Sequence, residues 1–139
     1  MSDPRVERLR GVPLFSGCSD KQLQFIASRA DELDLPPGKV LCREGESGGD
    51  FFVLLSGTAE ASAGGRPLRT LRQGDFFGEI ALLDNGPRSA TVTVSEPARA
   101  LVLGPSQFRD VLHQNTEIAI VMLHAVVQRL RAGSQLPHG

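Results

Sequence analysis

GDFFGEIALLDNGPRSATV, residues Gly74 to Val92, is the stretch that decides how the rest of the chain is read. It holds a Gly-Asp turn, two phenylalanines, a Gly-Glu step, a short apolar run and then Pro87-Arg88-Ser89-Ala90-Thr91-Val92. Gly78 has no Cβ, so the backbone there can approach a ligand closely. Glu79-Ile80-Ala81-Leu82-Leu83 is long enough for about one to one and a half helical turns. The first amides of such a turn lack intrahelical partners and point ahead of it, which suits a phosphate. Arg88 adds an always-charged planar fork for phosphate oxygens, and Ser89 adds a hydroxyl donor beside it. The stretch reads as an anion cradle.

Glu79 does not fit a plain phosphate site, because a carboxylate at the mouth of the cradle repels an anion. It fits if it accepts from a hydroxyl on the same ligand, as the acidic residue of dinucleotide folds does with a ribose 2′-OH. The ligand should therefore carry a phosphate and a sugar hydroxyl a few ångströms apart. A cyclic nucleotide has both, locked in one ring.

Phe77-Gly78-Glu79-Ile80-Ala81-Leu82 together with Pro87-Arg88-Ser89-Ala90-Thr91-Val92 closely resembles the phosphate-binding cassette of cyclic-nucleotide-binding domains. That family includes catabolite activator proteins, regulatory subunits of cyclic-AMP-dependent kinase and cyclic-nucleotide-gated channels. The resemblance implies that Glu79 holds the ribose 2′-OH and that Arg88 holds the cyclic phosphate. It gives a ligand-binding set of Leu71, Phe77, Gly78, Glu79, Ile80, Ala81, Arg88, Ser89 and Ala90, with no catalytic residue and no metal ligand. Gly38, Gly45, Gly57 and Gly74 also resemble the family's turn glycines in place and order. The ligand implied is cyclic AMP, with cyclic GMP as the alternative. A hydroxyl at Ser89 suits the phosphate of the first or the guanine amino group of the second.

Composition bounds the alternatives. The chain has 139 residues, enough for one domain with a single core. Its 40% hydrophobic and 22% charged residues are ordinary for a soluble globular protein. A formal net charge of −1 supplies no broad basic field for nucleic acid. No apolar run approaches the roughly 20 residues of a membrane span. MSDPRVERLRGV is charged and helical in character, unlike a signal peptide. Cys18 and Cys42 are the only cysteines, and reduced thiols in a cytoplasmic protein are expected.

Working outward, residues 1–31 read as an N-terminal helical arm. Asp3-Pro4 marks a helix start, and Ser19-x-x-Gln22 is a capping box before an amphipathic stripe of Leu23, Phe25, Ile26 and Ala30. From 32 to 103 the texture is that of strands and turns, with the cassette at 76–92. Leu33–Leu35, Val40–Cys42, Phe51–Leu55, Thr58–Ala63, Pro67–Leu71, Ala90–Val94 and Ala98–Leu103 are short strands, and Gly64-Gly65 is a hairpin turn. Phe51–Leu55 is apolar throughout, fit for burial on both faces. The expected fold is mainly β: an eight-stranded jelly-roll barrel with N-terminal helices and two C-terminal helices.

Residues 104–132 form those two helices, the first opened by Gly104-Pro105 and ending near Asn115. Asn115 then caps the second, with Glu117 in its first turn. The second helix carries two apolar stripes: Ile118, Val121, Met122 and Ala125, and Ile120, Leu123, Val127 and Leu130. A helix apolar on two sides needs two partners. One stripe packs on the barrel. The other meets a second copy in a weak homodimer through 116–132, or closes as a lid over ligand. The polar tail 133–139 is expected to be disordered.

His113, His124 and His138 lie in helix or tail and none in the strand region, which argues against a His-ligated metal centre. The sequence contains no Cys-x-x-Cys, nucleophile elbow or P-loop. Two functions remain. One is a non-catalytic module that binds a cyclic nucleotide and signals by repositioning its C-terminal helices. The other is a jelly-roll scaffold whose cassette no longer binds. No helix-turn-helix follows the long helix, so a DNA-binding activator lacks its reader. The expected partner is an effector protein, or an output domain of which this chain is a fragment.

Overall fold

Phe51–Leu55 opens strand β3 (Phe51–Ala63) in a computed structural model that describes residues 4–47, 49–78 and 86–132. Alternate side chains of a strand point to opposite faces, and here both faces are covered. Phe52 and Leu54 enter an inner cluster with Ala59, Leu71, Phe77 and Ala100. Phe51 and Val53 enter an outer cluster with Leu23, Ile26, Phe108 and Ile118 of the helices. The fully apolar run is thus the seam between two cores.

The other strands are β1 (Asp31–Leu35), β2 (Val40–Cys42), β4 (Arg66–Leu71), β5 (Phe76–Phe77) and β6 (Thr91–Leu103). All pairings are antiparallel; the sheet runs β1-β6-β3-β4, with β2 also on β6 and β5 also on β3. β3 and β6 pair along their length, from Phe51 opposite Leu103 to Ser62 opposite Thr91. Gly64-Gly65 turns β3 into β4 through the pair Ala63–Arg66.

The mainly β class with flanking helices is present, but the described residues form six strands in an open sheet where eight were expected. Two breaks expected in the sequence are bulges instead. Ser56-Gly57 and Pro97 lie inside β3 and β6, and the register shifts between Leu54 and Ala59 while pairing continues. A bulge bends a strand without ending it. At the bend the backbones nearly touch: a Cβ on Gly57, whose φ is +80°, would lie 2.3 Å from the Pro97 carbonyl oxygen.

Among the described residues, four α-helices cover the outer face: α1 (Pro4–Arg10), α2 (Asp20–Arg29), α3 (Pro105–Gln114) and α4 (Thr116–Ala132), with a 3₁₀ turn at Pro13–Phe15. The capping box at α2 is formed: Gln22 N donates to Ser19 Oγ at 3.2 Å, and Ser19 N donates to Gln22 Oε1 at 2.8 Å. Pro105 opens α3 after Gly104. Asn115 is fully buried, and its side chain serves the helix behind it. Its Nδ2 donates to the Val111 carbonyl at 2.8 Å, satisfying the end of α3 and not the start of α4. Only its backbone carbonyl meets α4, accepting from Ile118 N at 3.0 Å. Asp3 and the tail 133–139 lie outside the described residues.

Glu32 ties α1 to the sheet. Arg8 Nε donates to Glu32 Oε1 at 2.9 Å, and Arg99 Nη2 stands 3.7 Å from Oε2. Hydrogen bonding from Arg8 holds the Glu32 carboxyl below its ordinary value, against an opposing push from burial, with the charges of Arg8 and Arg99 adding to it. A carboxyl made more acidic by folding stabilises above its unfolded pKa, about 4.3, and loses that contribution as pH falls through the folded value. Arg8→Ala should therefore lower the thermal midpoint at neutral pH, and the gap to wild type should close below about pH 4. A gap that ignores pH over this range would mean that Arg8 contributes through packing alone.

Candidate functional site

The segment entering β6 is clamped by the one leaving β2. Arg88 N donates to the Glu46 carbonyl at 2.8 Å, and Gly45 N donates to the Arg88 carbonyl at 2.9 Å. Ser47 and Pro87 form a bridge, Glu44 N donates to Thr91 Oγ1 at 3.0 Å, and Cys42 Sγ lies 3.6 Å from the Ala90 carbonyl. Burial pushes the Cys42 thiol up, while the charge of Arg88 acts the other way. These contacts aim the Arg88 side chain inward.

Arg88 is only 6% exposed. Its Nη2 donates to the Asp50 carbonyl at 2.8 Å. That carbonyl fixes the direction of the guanidinium. Two glycines make room for the fork. A Cβ on Gly49 would lie 2.6 Å from Nη2, and one on Gly78 would lie 2.7 Å from Nη1 and 2.6 Å from the Asp50 carbonyl oxygen. Both sit at positive φ, +93° and +100°, where a side chain is strained in any case. The placement of the guanidinium in a glycine slot fits a site that takes an anion.

Ser89 Oγ is buried and has no hydrogen-bond partner among the described residues. Buried hydroxyls are normally satisfied, so this one, a single residue after a buried cation in the chain, keeps its donor for a ligand. Leu71 and Phe77 are buried in the inner cluster, Ala90 is buried as well, and Phe77 stacks on Phe52 at 4.8 Å between ring centroids. Of the residues singled out in the sequence, the structure brings Gly78 onto Arg88, and Ser89 follows Arg88 in the chain. Glu79, Ile80 and Ala81 lie outside the described residues. Gly49 and Asp50 were missed. Their only signal is a glycine pair, Gly48-Gly49, directly before the doubly buried strand.

Volume alone does not mark this site. An open cleft of about 560 Å³ lies elsewhere, lined by residues such as Pro36, Pro37, Pro97 and Arg99, and includes none of the cassette. Its Arg99 is already paired with Asp34 at 2.7 Å. Among the described residues there is no cluster of three or more metal-ligating side chains, and no helix is long and apolar enough to cross a membrane.

Residues 32–115 match the family of cyclic nucleotide-binding domains. Over 106 residues the chain is 38% identical to the cAMP-dependent protein kinase regulatory subunit of Pyricularia oryzae, covering 75% of this chain and 27% of that protein. It is 35% identical over 122 residues to the cGMP-dependent protein kinase of Toxoplasma gondii, covering 86% of this chain and 12% of that protein. The chain thus spans about a quarter or less of these relatives. In three dimensions it superposes on the Thermus thermophilus catabolite activator protein with a TM-score of 0.79 at 27% identity, over 88% of this chain and 60% of that one. The structure of Sp-2Cl-cAMPS bound to PKAR CBD2 gives 0.78 at 27% identity, over 91% and 86%.

Proposed function

Because the chain belongs to the family of cyclic nucleotide-binding domains, we propose that it is a non-catalytic regulatory module that holds a 3′,5′-cyclic nucleotide against Gly78, Arg88 and Ser89. The observation that carries this reading is the Arg88 guanidinium, buried in a slot between Gly49 and Gly78. The fork meets the cyclic phosphate and Ser89 adds a donor. Glu79 accepts from the ribose 2′-OH, with Ile80 and Ala81 supplying the neighbouring backbone. Leu71, Phe77 and Ala90 wall the site.

Cyclic AMP is the preferred ligand and cyclic GMP the alternative. The position of Ser89 next to Arg88 supports a phosphate role for its hydroxyl, and the matched relatives include kinases named for each nucleotide. Signalling is a population shift of α3 and α4, and a ligand moves such an equilibrium only by its differential affinity for the two states. The effector is a protein partner or an output domain; the relatives' names point to a protein kinase. The setting is cytoplasmic.

Thermal melting with each nucleotide tests binding. A ligand at a hundred times its Kd adds about 2.7 kcal/mol to native stability. At roughly 2–4 °C per kcal/mol for a domain of this size, the midpoint should rise by roughly 5–10 °C. The rise should come at lower concentration with cyclic AMP than with cyclic GMP. No rise with either at millimolar concentration would leave a scaffold domain that has kept the cassette shape without the ligand.

A further inference from the structure

Gly49, Asp50 and Phe51 are consecutive, and each meets a different part of the molecule. Gly49 lines the slot of the Arg88 guanidinium, and the Asp50 carbonyl accepts from Nη2 at 2.8 Å. Phe51 opens β3 and packs its ring on Phe108 of α3, 4.8 Å between centroids, with both residues buried. Phe51 also stands opposite Leu103 in the antiparallel ladder. Asp50 and Gly104 are the next residues out from that pair, which brings Asp50 to the start of α3. Its Oδ1 lies 3.8 Å from where a Cβ on Gly104 would stand.

That end of α3 is short of acceptors. Gly104 has no side chain to cap the helix, and Pro105 in the first turn brings no N–H. Phe108 N donates to the Gly104 carbonyl at 2.8 Å. The amides of Ser106 and Gln107 are then the donors without an intrahelical acceptor. Gln107 Oε1 folds back to 2.5 Å from the same Gly104 position, so a neutral and a charged oxygen converge there. Among the described residues the Asp50 carboxylate enters no hydrogen bond or ion pair elsewhere. A carboxylate beside a helix start is favourable, because the helix dipole is positive at that end. We propose that Asp50 is a positioning residue that joins the anion site to α3. Its main-chain carbonyl sets the Arg88 guanidinium, and its carboxylate steadies the first turn of the helix. An anion that fixes Arg88 thereby fixes the start of α3, and an empty site leaves both looser. The coupling belongs to the fold; its use by a cyclic nucleotide rests on the proposed function.

Hydrogen exchange of the Phe108 amide in the ligand-free protein reads the coupling, taken relative to the Val53 amide of β3 as the measure of global opening. Asp50→Ala should speed it roughly two- to fivefold, the gain that a carboxylate gives a first helical turn. Asp50→Asn, which keeps an oxygen and loses the charge, should fall between. Arg88→Ala should also speed it, because the Asp50 carbonyl loses its donor; Arg88→Lys replaces it where alanine unfolds the domain. The double variant Asp50→Ala/Arg88→Ala should exchange no faster than the faster single variant, since both changes act through Asp50. Single effects that multiply in the double variant would overturn the coupling, as would Asp50→Ala without effect. Cyclic AMP, at saturation judged by calorimetric titration of each protein, should slow Phe108 exchange in wild type and much less in Asp50→Ala. Equal slowing in both would overturn the coupling too, by placing the route elsewhere. Wild type that takes up no cyclic AMP, with the double variant still no faster than the single, counts against the nucleotide reading alone and upholds the link between Arg88 and α3.

Discussion

Replacing Arg88 by alanine should weaken cyclic-nucleotide binding by roughly 30- to several-thousand-fold, the range that corresponds to about 2–5 kcal/mol for truncating one member of a buried charge pair. The size follows from burial. At 6% exposure the guanidinium works away from water, where screening is weak. The ligand phosphate would enter the same pocket and find no counter-charge. Arg88→Lys should fall between wild type and alanine. It keeps the charge, but a flexible ammonium cannot fill the planar slot between Gly49 and Gly78 or donate as a fork. Calorimetric titration measures both variants, and far-ultraviolet circular dichroism checks that the sheet is intact. An unchanged Kd for folded Arg88→Ala would remove Arg88 from the binding site, and with it the reading of the cassette.

The parts of this molecule that were legible in sequence are those whose cause is local. The capping box at Ser19 and Gln22, the Gly64-Gly65 turn, the doubly buried Phe51–Leu55 and the two stripes of α4 each depend on spacing within a few residues. What was not legible depends on contacts between distant segments. Gly57 looks like a strand end in sequence; only the approach of Pro97 and Ala98 from β6 makes it a bulge within one long strand. Asn115 sits between two helices and could serve either, and the choice of Val111 over α4 is settled by packing that buries it completely. Gly49 and Asp50 meet Arg88 only because the fold brings together segments distant in sequence. Leu130 of the exposed stripe falls among side chains outside those described.

Two alanine substitutions at glycine should separate the fold from the site. Gly57→Ala places a methyl 2.3 Å from the Pro97 carbonyl oxygen and 2.5 Å from the Ala98 Cα, at φ +80°. Both obstacles are backbone, so β3 and β6 must part at the bend where their pairing is held together. The expected loss exceeds about 4 kcal/mol, in the tail reserved for core disruption, out of a total of roughly 5–15 kcal/mol. The thermal midpoint should fall by more than about 10 °C. Gly38→Ala is the control: its φ is +90°, but nothing lies within 4 Å of the new methyl. It should cost only the left-handed backbone, about 1–2 kcal/mol. Gly78→Ala differs from both. Its methyl meets the Asp50 carbonyl oxygen at 2.6 Å and Arg88 Nη1 at 2.7 Å, so it strains the turn and also displaces the guanidinium. Measured at a temperature where each variant remains folded, Gly38→Ala and Gly57→Ala should bind cyclic AMP with close to wild-type Kd. Gly78→Ala should lose at least tenfold, because a misplaced fork forfeits more than about 1.4 kcal/mol. If folded Gly78→Ala binds as wild type does, the glycine slot shapes the turn alone and the guanidinium is free to find its phosphate from another position.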